Sequence, residues 1–340
     1  PTKLLFLSTL MMGTILSISS NSWFGAWIGL EVNLLSFIPL MTNSTNVSST
    51  EASLKYFLTQ ALASATLLFS IIFTALTFSL TNSFQVSNSF LNTLINSSLL
   101  LKMGAAPFHF WFPGVMEGLT WSNGLVLMTW QKIAPLILLS YNLSLNLFIV
   151  STITLSIMIG SLGGLNQTSL RKILAYSSIN HLGWLVAALS IGEFAWNIYF
   201  TVYSFLTAAV IFMLDSFKLT HLNQAFSFNL IHPISKFFLF SSLLSLGGLP
   251  PFLGFFPKWI VIQNMAELGS FPLISAMVVL TLITLFYYLR ITFSAFMLSY
   301  AETSWSSPSL EISSRFCLTI TLGVISAFGL ILSSLMAHFL

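Results

Sequence analysis

Long apolar segments follow one another along almost the whole of this chain of 340 residues. A helix needs about 20 mostly apolar residues to cross the hydrocarbon core of a bilayer. By that measure the sequence predicts about eleven transmembrane helices, and no segment reads as a separate soluble domain or linker. The predicted helices occupy approximately residues 3–20, 22–41, 52–79, 88–112, 121–141, 146–163, 171–191, 194–217, 236–264, 271–299 and 314–337.

The composition excludes an ordinary soluble protein. Hydrophobic residues make up 56% of the chain and charged residues 6%, whereas soluble domains carry about 25% charged residues. The net charge of +3 is scattered, so no basic cluster suggests nucleic acid as a partner. The single cysteine, Cys317, excludes a disulfide within the chain and a cysteine-ligated iron–sulfur cluster. No nucleotide-binding motif occurs either, so we expect no redox chemistry in this chain.

The positions of lysine and arginine predict how the helices are oriented. When the predicted helices alternate in direction, the side on which the N-terminus lies receives Lys3, Lys55, Arg171, Lys172, Lys218, Lys236 and Arg315, at loops and helix ends. The opposite side receives Glu193 and Glu267 and no lysine or arginine. Because basic residues accumulate on the positive-inside face, the N-terminus is predicted on that face and the C-terminus on the other.

Four ionisable residues lie inside the apolar segments, where a charge is costly. Glu31 lies in WFGAWIGLEVNLLSFIPL, Lys102 in NSSLLLKMGAAPFHFW, Lys132 in GLVLMTWQKIAPLILL and Lys258 in PPFLGFFPKWIVIQ. A charge at the bilayer centre costs roughly 2.5–3.5 kcal/mol, so four cost on the order of 10 kcal/mol unless they are paired, neutral or hydrated. We interpret this cost as a sign of function, and proton movement is the function that such groups favour.

Pairing and burial indicate how these groups could work. An ion pair between Glu31 and Lys102 would relieve the desolvation of both. Burial disfavours the charged form of an amine, so a buried lysine can release and rebind a proton. His181, in AYSSINHLGWLV, is also central in its segment. Structural alternatives stay open: a static Glu31–Lys102 pair, a hydrogen-bonded core histidine at His181, and a Lys258 side chain that extends to the membrane interface.

Two segments of the sequence resemble each other. GAAPFHFWFP starts at Gly104 and GLPPFLGFFP starts at Gly248, which is 144 residues later. Five predicted helices separate the two segments, so the second would enter the membrane from the opposite face. Inverted repeats with broken helices are typical of secondary transporters, and the carbonyl groups that Gly and Pro leave unpaired need water or polar partners. A simple packing kink is the alternative interpretation.

Six segments, in order, closely resemble one family of membrane proteins. They are NSWFGAWIGLEVNLLSFIPL, STEASLKYFLTQALAS, LLLKMGAAPFHFWFPGVMEGLTW, WQKIAPL, GGLNQTSLRKILAYSSINHLGW and LSLGGLPPFLGFFPKW. Over about residues 3–300 the chain resembles the NADH dehydrogenase subunit 2 family of mitochondrial complex I, of an arthropod-like type, and the likeness weakens toward the C-terminus.

The resemblance implies an all-α, antiporter-like polytopic fold. Members usually contain two inverted five-helix repeats with broken helices, and this sequence would be a version shortened at its N-terminus. Residues 1–340 would form one transmembrane domain, with a first repeat over about 1–142, a second over about 146–300 and a C-terminal helix over about 314–337. The shortening would leave a lateral groove for a partner subunit.

The resemblance also implies the function. Glu31, Lys102, Lys132 and Lys258 match the glutamate and lysines of the family, and His181 matches a polar relay position, so these five would carry proton translocation. This chain would bind no cofactor or metal, because NADH, FMN, the iron–sulfur clusters and ubiquinone would belong to other subunits. Its partners would be other membrane-arm subunits, including antiporter-like neighbours, together with accessory subunits and phospholipids.

The expected location is the inner mitochondrial membrane, with the N-terminus on the matrix side and the C-terminus on the intermembrane-space side. Two other functions stay open on the residues alone. One is a cation/proton antiporter outside any respiratory complex, and the other is a structural subunit whose charges form permanent ion pairs. Ubiquinone binding in this chain is a weaker option, since abundant aromatic residues are ordinary in membrane proteins.

Overall fold

The computed structural model of the protein describes residues 2–43, 46–80, 88–227, 233–298 and 314–337. Within these ranges the regular elements are helices, apart from an isolated antiparallel bridge between Ser169 and His221. Seven helical segments of the described chain are long and apolar enough to cross a membrane, and three shorter apolar helices accompany them. The predicted all-α membrane class is therefore confirmed, while the predicted number of eleven crossings stays a prediction.

The first of two compact units comprises residues Pro1–Thr152. It contains α1 (Thr2–Ser19), α2 (Trp23–Met41), α3 (Val47–Leu80), α4 (Asn88–Met103), α5 (Trp111–Gly118), α6 (Trp121–Met128), α7 (Trp130–Asn142) and the start of α8 (Leu147–Gly164). Helix α3 packs against α2, α4 and α5, and α4 also packs against α7. The helices that carry the predicted glutamate and the first two lysines therefore belong to one packed group.

The second unit comprises residues Ile153–Leu340. After the rest of α8 it contains α9 (Leu170–Ile191), α10 (Glu193–Ser216), α11 (Leu222–Ser227), α12 (Pro233–Gly247), α13 (Phe255–Glu267), α14 (Phe271–Phe293), a π-helix (Ser294–Leu298) and α15 (Ser314–Ala337). Helix α9 contacts α10, α13 and α14, and most of its side chains are buried. The predicted histidine therefore lies on an interior helix of this unit.

Two of the predicted membrane helices are broken at the repeated Gly–Pro motifs. The segment predicted over 88–112 stops being α-helical after Met103, and the segment predicted over 236–264 is divided into α12 and α13. Gly104 and Gly248 have φ angles of +75° and +83°. This left-handed conformation ends a helix and is cheap only for glycine.

A third interruption was not among the predicted helix breaks. The predicted helix over 121–141 consists of α6 and α7, which are separated at Thr129. Pro135 follows the break by six residues and cannot donate to the Gln131 carbonyl, so proline is a local signal that fits a break in this region. The Thr129 hydroxyl and the Thr129 backbone N–H both donate to the Leu125 carbonyl, at 2.7 Å and 3.0 Å, so the threonine side chain adds a second bond to this carbonyl next to the interruption.

Helices α1 and α2 approach each other so closely that their backbones touch. A Cβ atom on Gly29 would lie 2.5 Å from the backbone nitrogen of Ser17 and 2.8 Å from the carbonyl oxygen of Gly13. A Cβ atom on Gly13 would lie 2.9 Å from the backbone nitrogen of Asn33. Small residues permit such close packing between membrane helices. The contact fixes the part of α2 that carries Glu31.

We expect the Gly29→Leu substitution to destabilise the first unit. The new side chain cannot enter the α1–α2 contact without separating the helices, and overpacking of this kind costs about 1–3 kcal/mol. The thermal unfolding of the purified protein measures the effect. The matched control is Gly114→Ala, because no atom lies within 4 Å of a Cβ placed on Gly114. Equal melting temperatures for the two variants would contradict the close contact.

Candidate functional site

Side chains from neighbouring helices hold Lys102 at the first helix break. Lys102 lies in the last turn of α4, where the final carbonyl groups have no partner within the helix. The Lys102 carbonyl accepts a hydrogen bond from Gln60 Nε2 at 3.1 Å, and the Leu101 carbonyl accepts one from Trp111 Nε1 at 3.2 Å. Donors from α3 and α5 therefore bind these two carbonyl groups at the end of α4. The same bonds hold the backbone of Lys102 in place.

Glu31 acts on Lys102 through space. The two groups interact electrostatically, but in the described part of the chain no lysine nitrogen lies within 4.0 Å of the Glu31 carboxylate. One carboxylate oxygen, Oε2, is buried and has no hydrogen-bond partner among the described residues. The direct ion pair that the sequence suggested is therefore absent, and the two groups are coupled across a gap.

A small polar cavity lies between Lys102 and its neighbours. Its lining residues are Leu30, Asn33, Leu34, Tyr56, Gln60, Lys102, Gln131 and Pro135. The volume open to the centre of a water molecule is about 10 Å³, which is close to what a single water requires. Gln131 Nε2 donates to Asn33 Oδ1 at 3.0 Å, and the Tyr56 hydroxyl donates to Gln131 Oε1 at 3.5 Å. These bonds connect α2, α3 and α7 around the lysine.

Lys132 lies in the first turn of α7, directly after the interruption at Thr129. Its Nζ lies 5.3 Å from the centroid of the Phe112 ring, on α5. A cation is attracted to the face of an aromatic ring at this distance, more strongly where water is excluded. This contact offsets part of the cost of placing a positive charge near a helix N-terminus.

Lys258 contacts the second helix break directly. Its Nζ donates a hydrogen bond to the Gly247 carbonyl, the last residue of α12, at 2.7 Å. A Cβ atom on Gly248 would lie 2.7 Å from this Nζ and 3.0 Å from Lys258 Cδ. The side chain is therefore buried and lies against the break. At this break the lysine side chain itself donates to a carbonyl group at the helix end, whereas at the first break Gln60 and Trp111 are the donors.

His181 lies in a cluster of buried tyrosines. Its Nδ1 and the Tyr199 hydroxyl are 2.9 Å apart, and its ring centroid lies 5.0 Å from that of Tyr203. Tyr199 and Tyr203 are one turn apart on α10, so they present their rings on one face. These two tyrosines were not predicted as site residues, although two tyrosines at this spacing inside an apolar segment are a signal that could have indicated them. The tyrosines provide hydroxyl groups beside the imidazole.

The burial of Lys236 was not predicted from the sequence. It lies near the start of α12, as predicted for a helix end, but its side chain is buried. Its Nζ donates to the Ala295 carbonyl at 2.6 Å and lies 5.9 Å from the Phe296 ring centroid. Both partners belong to the π-helix that follows α14. Lys236 thus satisfies a carbonyl at a distorted helix end.

The structure divides the five predicted residues between the two units. Glu31, Lys102 and Lys132 belong to the first unit, and His181 and Lys258 belong to the second. The exposed fractions of the three lysines are 7% for Lys102, 1% for Lys132 and 6% for Lys258. Among the described residues, no group of three or more His, Cys, Asp or Glu side chains is arranged to hold a metal ion. The buried side chains can exchange protons, and their assignment to proton transfer stays a prediction.

Comparisons with known proteins place the chain in a family. Residues 20–284 match the family described as NADH:quinone oxidoreductase/Mrp antiporter, and residues 285–337 match the NADH dehydrogenase subunit 2 C-terminus family. The chain is 54% identical to NADH-ubiquinone oxidoreductase chain 2 of Anopheles gambiae, over 97% of this chain and 96% of the relative. It is 56% identical to the protein of that name from Aedes aegypti, with the same coverage.

A solved structure has the same fold. A chain of respiratory complex I from Thermus thermophilus with bound aureothin superposes with a TM-score of 0.83 at 25% sequence identity. The match covers 96% of this chain and 77% of that chain. The antiporter-like fold and the family resemblance that the sequence motifs implied are both confirmed. On the identity, the coverage and the family matches together, this chain belongs to the NADH-ubiquinone oxidoreductase chain 2 family.

Proposed function

We propose that this chain translocates protons as a membrane subunit of NADH-ubiquinone oxidoreductase. The observation that carries the proposal is the burial of Lys102, Lys132 and Lys258 within apolar helices of a protein from this family. Two of these lysines lie at helix breaks, where backbone carbonyl groups add to the local polarity. Burial disfavours the charged form of an amine, so a lysine in such a setting gives up its proton more easily than a lysine in water.

Glu31 is proposed to control the proton on Lys102. An ionised carboxylate stabilises a nearby ammonium group, and loss of that carboxylate charge releases the stabilisation. The gap between the two groups matters, because a tight ion pair would hold the proton in place. Lys132 is proposed to receive the proton next in the first unit, whereas His181 and Lys258 act in the second unit.

Electron transfer is proposed to take place in other subunits of the complex. NADH, FMN, the iron–sulfur clusters and ubiquinone would bind there, and the energy of quinone reduction would reach this chain as a change in charge or conformation. The chain would lie in the inner mitochondrial membrane with its N-terminus in the matrix and its C-terminus in the intermembrane space. Neighbouring membrane-arm subunits, accessory subunits and phospholipids would surround it.

We expect Glu31→Gln to slow proton pumping severalfold while the complex still assembles. The amide keeps the shape of the side chain and removes its charge, and a single nearby charge changes a proton affinity by about tenfold or more. Pumping is measured as proton uptake by vesicles that contain the intact complex. The matched control is Glu51→Gln, since Glu51 is 63% exposed and pairs with Lys55 at 2.6 Å. Identical pumping by both variants would contradict the role of Glu31.

Purification distinguishes this proposal from an antiporter that works alone. Isolation of the chain together with flavin-containing and iron–sulfur subunits supports the proposed complex. Isolation in a complex that lacks redox cofactors, with cation-dependent proton exchange, would favour the antiporter.

A further inference from the structure

The outer face of α14 borders an open groove on the second unit. Of the seven long apolar segments in the described chain, the one that contains α14 is the least buried. The groove has a volume of about 680 Å³, which lies within the range of about 300–1,000 Å³ that is usual for ligand pockets. Its apolar lining residues are Leu244, Phe286, Leu289, Phe293 and Phe296. The groove is therefore large enough for an organic ligand with an apolar body.

Arg290 supplies the unused hydrogen-bond donors of this groove. The other polar lining residue is Thr292, whose hydroxyl donates to the Leu289 carbonyl at 3.0 Å and is thus satisfied within its own helix. Arg290 is exposed, and its Nη2 donates to the Leu165 carbonyl at 3.1 Å. A guanidinium carries five N–H donors, and no carboxylate of the described residues lies within 4.0 Å of this one. The groove therefore combines one cationic group with apolar walls.

The groove extends from a membrane surface toward the interior. Leu165 lies between α8 and α9, so its bond to Arg290 places the guanidinium at the level of these helix ends. The bond from Lys236 to the Ala295 carbonyl places the start of α12 at the end of α14. Leu244 lies eight residues after Lys236, which is about 12 Å further along α12. One leaflet of the hydrocarbon core is about 15 Å thick, so the groove crosses most of a leaflet.

Basic residues are in excess on the side of the second unit where the guanidinium lies. The Lys236 ammonium, 5.9 Å from the centroid of the Phe296 ring, adds positive charge behind one wall of the groove. Basic pockets between membrane helices on the positive-inside face bind anionic lipid head groups. The ionisable residues that the sequence predicts on this side are the basic Arg171, Lys172, Lys218, Lys236, Arg290 and Arg315 and the acidic Asp215, Glu302 and Glu311.

We propose that this groove binds an anionic phospholipid, with the phosphate at Arg290 and an acyl chain against Phe286, Leu289 and Phe293. A guanidinium binds a phosphate through two parallel hydrogen bonds, and burial of an acyl chain between apolar side chains adds affinity. A peptide fits less well, because its backbone polar groups would find few partners on these walls. The inference rests on the membrane location of the chain and not on proton translocation, so the two proposals can fail separately.

The test uses the intact complex and two phospholipids that carry the same photoreactive acyl chain, a phosphatidylglycerol and a phosphatidylcholine. After irradiation, mass spectrometry identifies the labelled peptides. We expect the anionic lipid to label the peptides of α12 and α14 severalfold more than the zwitterionic lipid does. Arg290→Gln should abolish this preference, and Arg290→Lys should keep part of it, because lysine retains the charge without the planar fork.

The matched control is Lys55→Gln, which removes one positive charge from an exposed position of the first unit. This variant should label as the parent does. Equal labelling of α14 by both lipids would overturn the inference, since it indicates ordinary bilayer contact. Labelling by neither lipid would also overturn it, because a protein partner then covers the groove.

Two further results would contradict the role of Arg290. One is an unchanged lipid preference in Arg290→Gln, and the other is complete loss of labelling in inorganic phosphate, which indicates a site for small anions. The comparison of the two lipids in the parent complex needs no variant, so it decides the question even if Arg290→Gln fails to assemble. Pumping by Glu31→Gln tests the proposed function independently.

Discussion

Replacing Lys132 with methionine is expected to reduce proton translocation per NADH oxidised more than any other single change in the first unit. Methionine is unbranched and of similar length, so it fills the same space next to Phe112 and adds no buried charge. Loss of a positioned proton-transfer group typically costs roughly 10²–10⁴-fold in rate. We therefore expect coupled turnover to fall by about 100-fold, with the complex still assembled.

The measurement separates proton movement from electron transfer. Vesicles that contain the complex report proton uptake, and reduction of a water-soluble electron acceptor by NADH reports the redox subunits. Lys55→Met is the matched control, because Lys55 is 53% exposed and pairs with Glu51 on the surface of the same helix. If Lys132→Met pumps as many protons per NADH as Lys55→Met, Lys132 has a purely structural role.

The second large effect is expected from Gly248→Ala, through the displacement of Lys258. The added methyl group would lie 2.7 Å from Lys258 Nζ, so the ammonium group has to shift from its position beside the Gly247 carbonyl. The substitution also places a side chain at a φ of +83°, which costs about 1–2 kcal/mol. We expect at least about a tenfold loss of pumping if Lys258 is a proton-transfer group, because small displacements of such groups are costly.

Gly269→Ala isolates the effect of the backbone. Gly269 has a φ of +73°, and no atom lies within 4 Å of a Cβ placed on it. We expect Gly269→Ala to lose stability for the same reason as Gly248→Ala, because both place a side chain at a positive φ. Its pumping rate should not change, since no lysine is displaced. Equal pumping by the Gly248 and Gly269 variants, measured at a temperature where both are folded, would show that the position of Lys258 is unimportant.

The burial of the lysines could be predicted from the sequence, and their partners could not. Apolar segments on both sides of Lys102 and Lys132 require burial, and the glycine of each Gly–Pro motif marks a helix break. Gln60 and Trp111, which satisfy the first break, lie 42 and 9 residues from Lys102 along the chain. Only folding brings the glutamine to that carbonyl, so no local pattern could identify it.

Other differences have equally specific physical causes. Lys236 was predicted as a helix-end group of the positive side because it begins an apolar segment, but packing of α12 on the π-helix after α14 buries it. The break at Thr129 was not predicted, because its proline, Pro135, lies six residues later and inside the following helix.

The two Gly–Pro motifs have similar sequences, but their lysines differ in how they are hydrogen-bonded to the helix break. At Gly104 the exposed carbonyl groups are bonded by an amide and an indole, which leaves the ammonium of Lys102 independent of the backbone. At Gly248 the ammonium of Lys258 is anchored to the carbonyl itself. A shift of the α12 end would therefore displace the ammonium group of Lys258. A shift of the α4 end has no such hydrogen bond through which to displace the ammonium group of Lys102. We therefore expect the charge of Lys258 to follow any shift of the α12 end, and the charge of Lys102 to respond to Glu31.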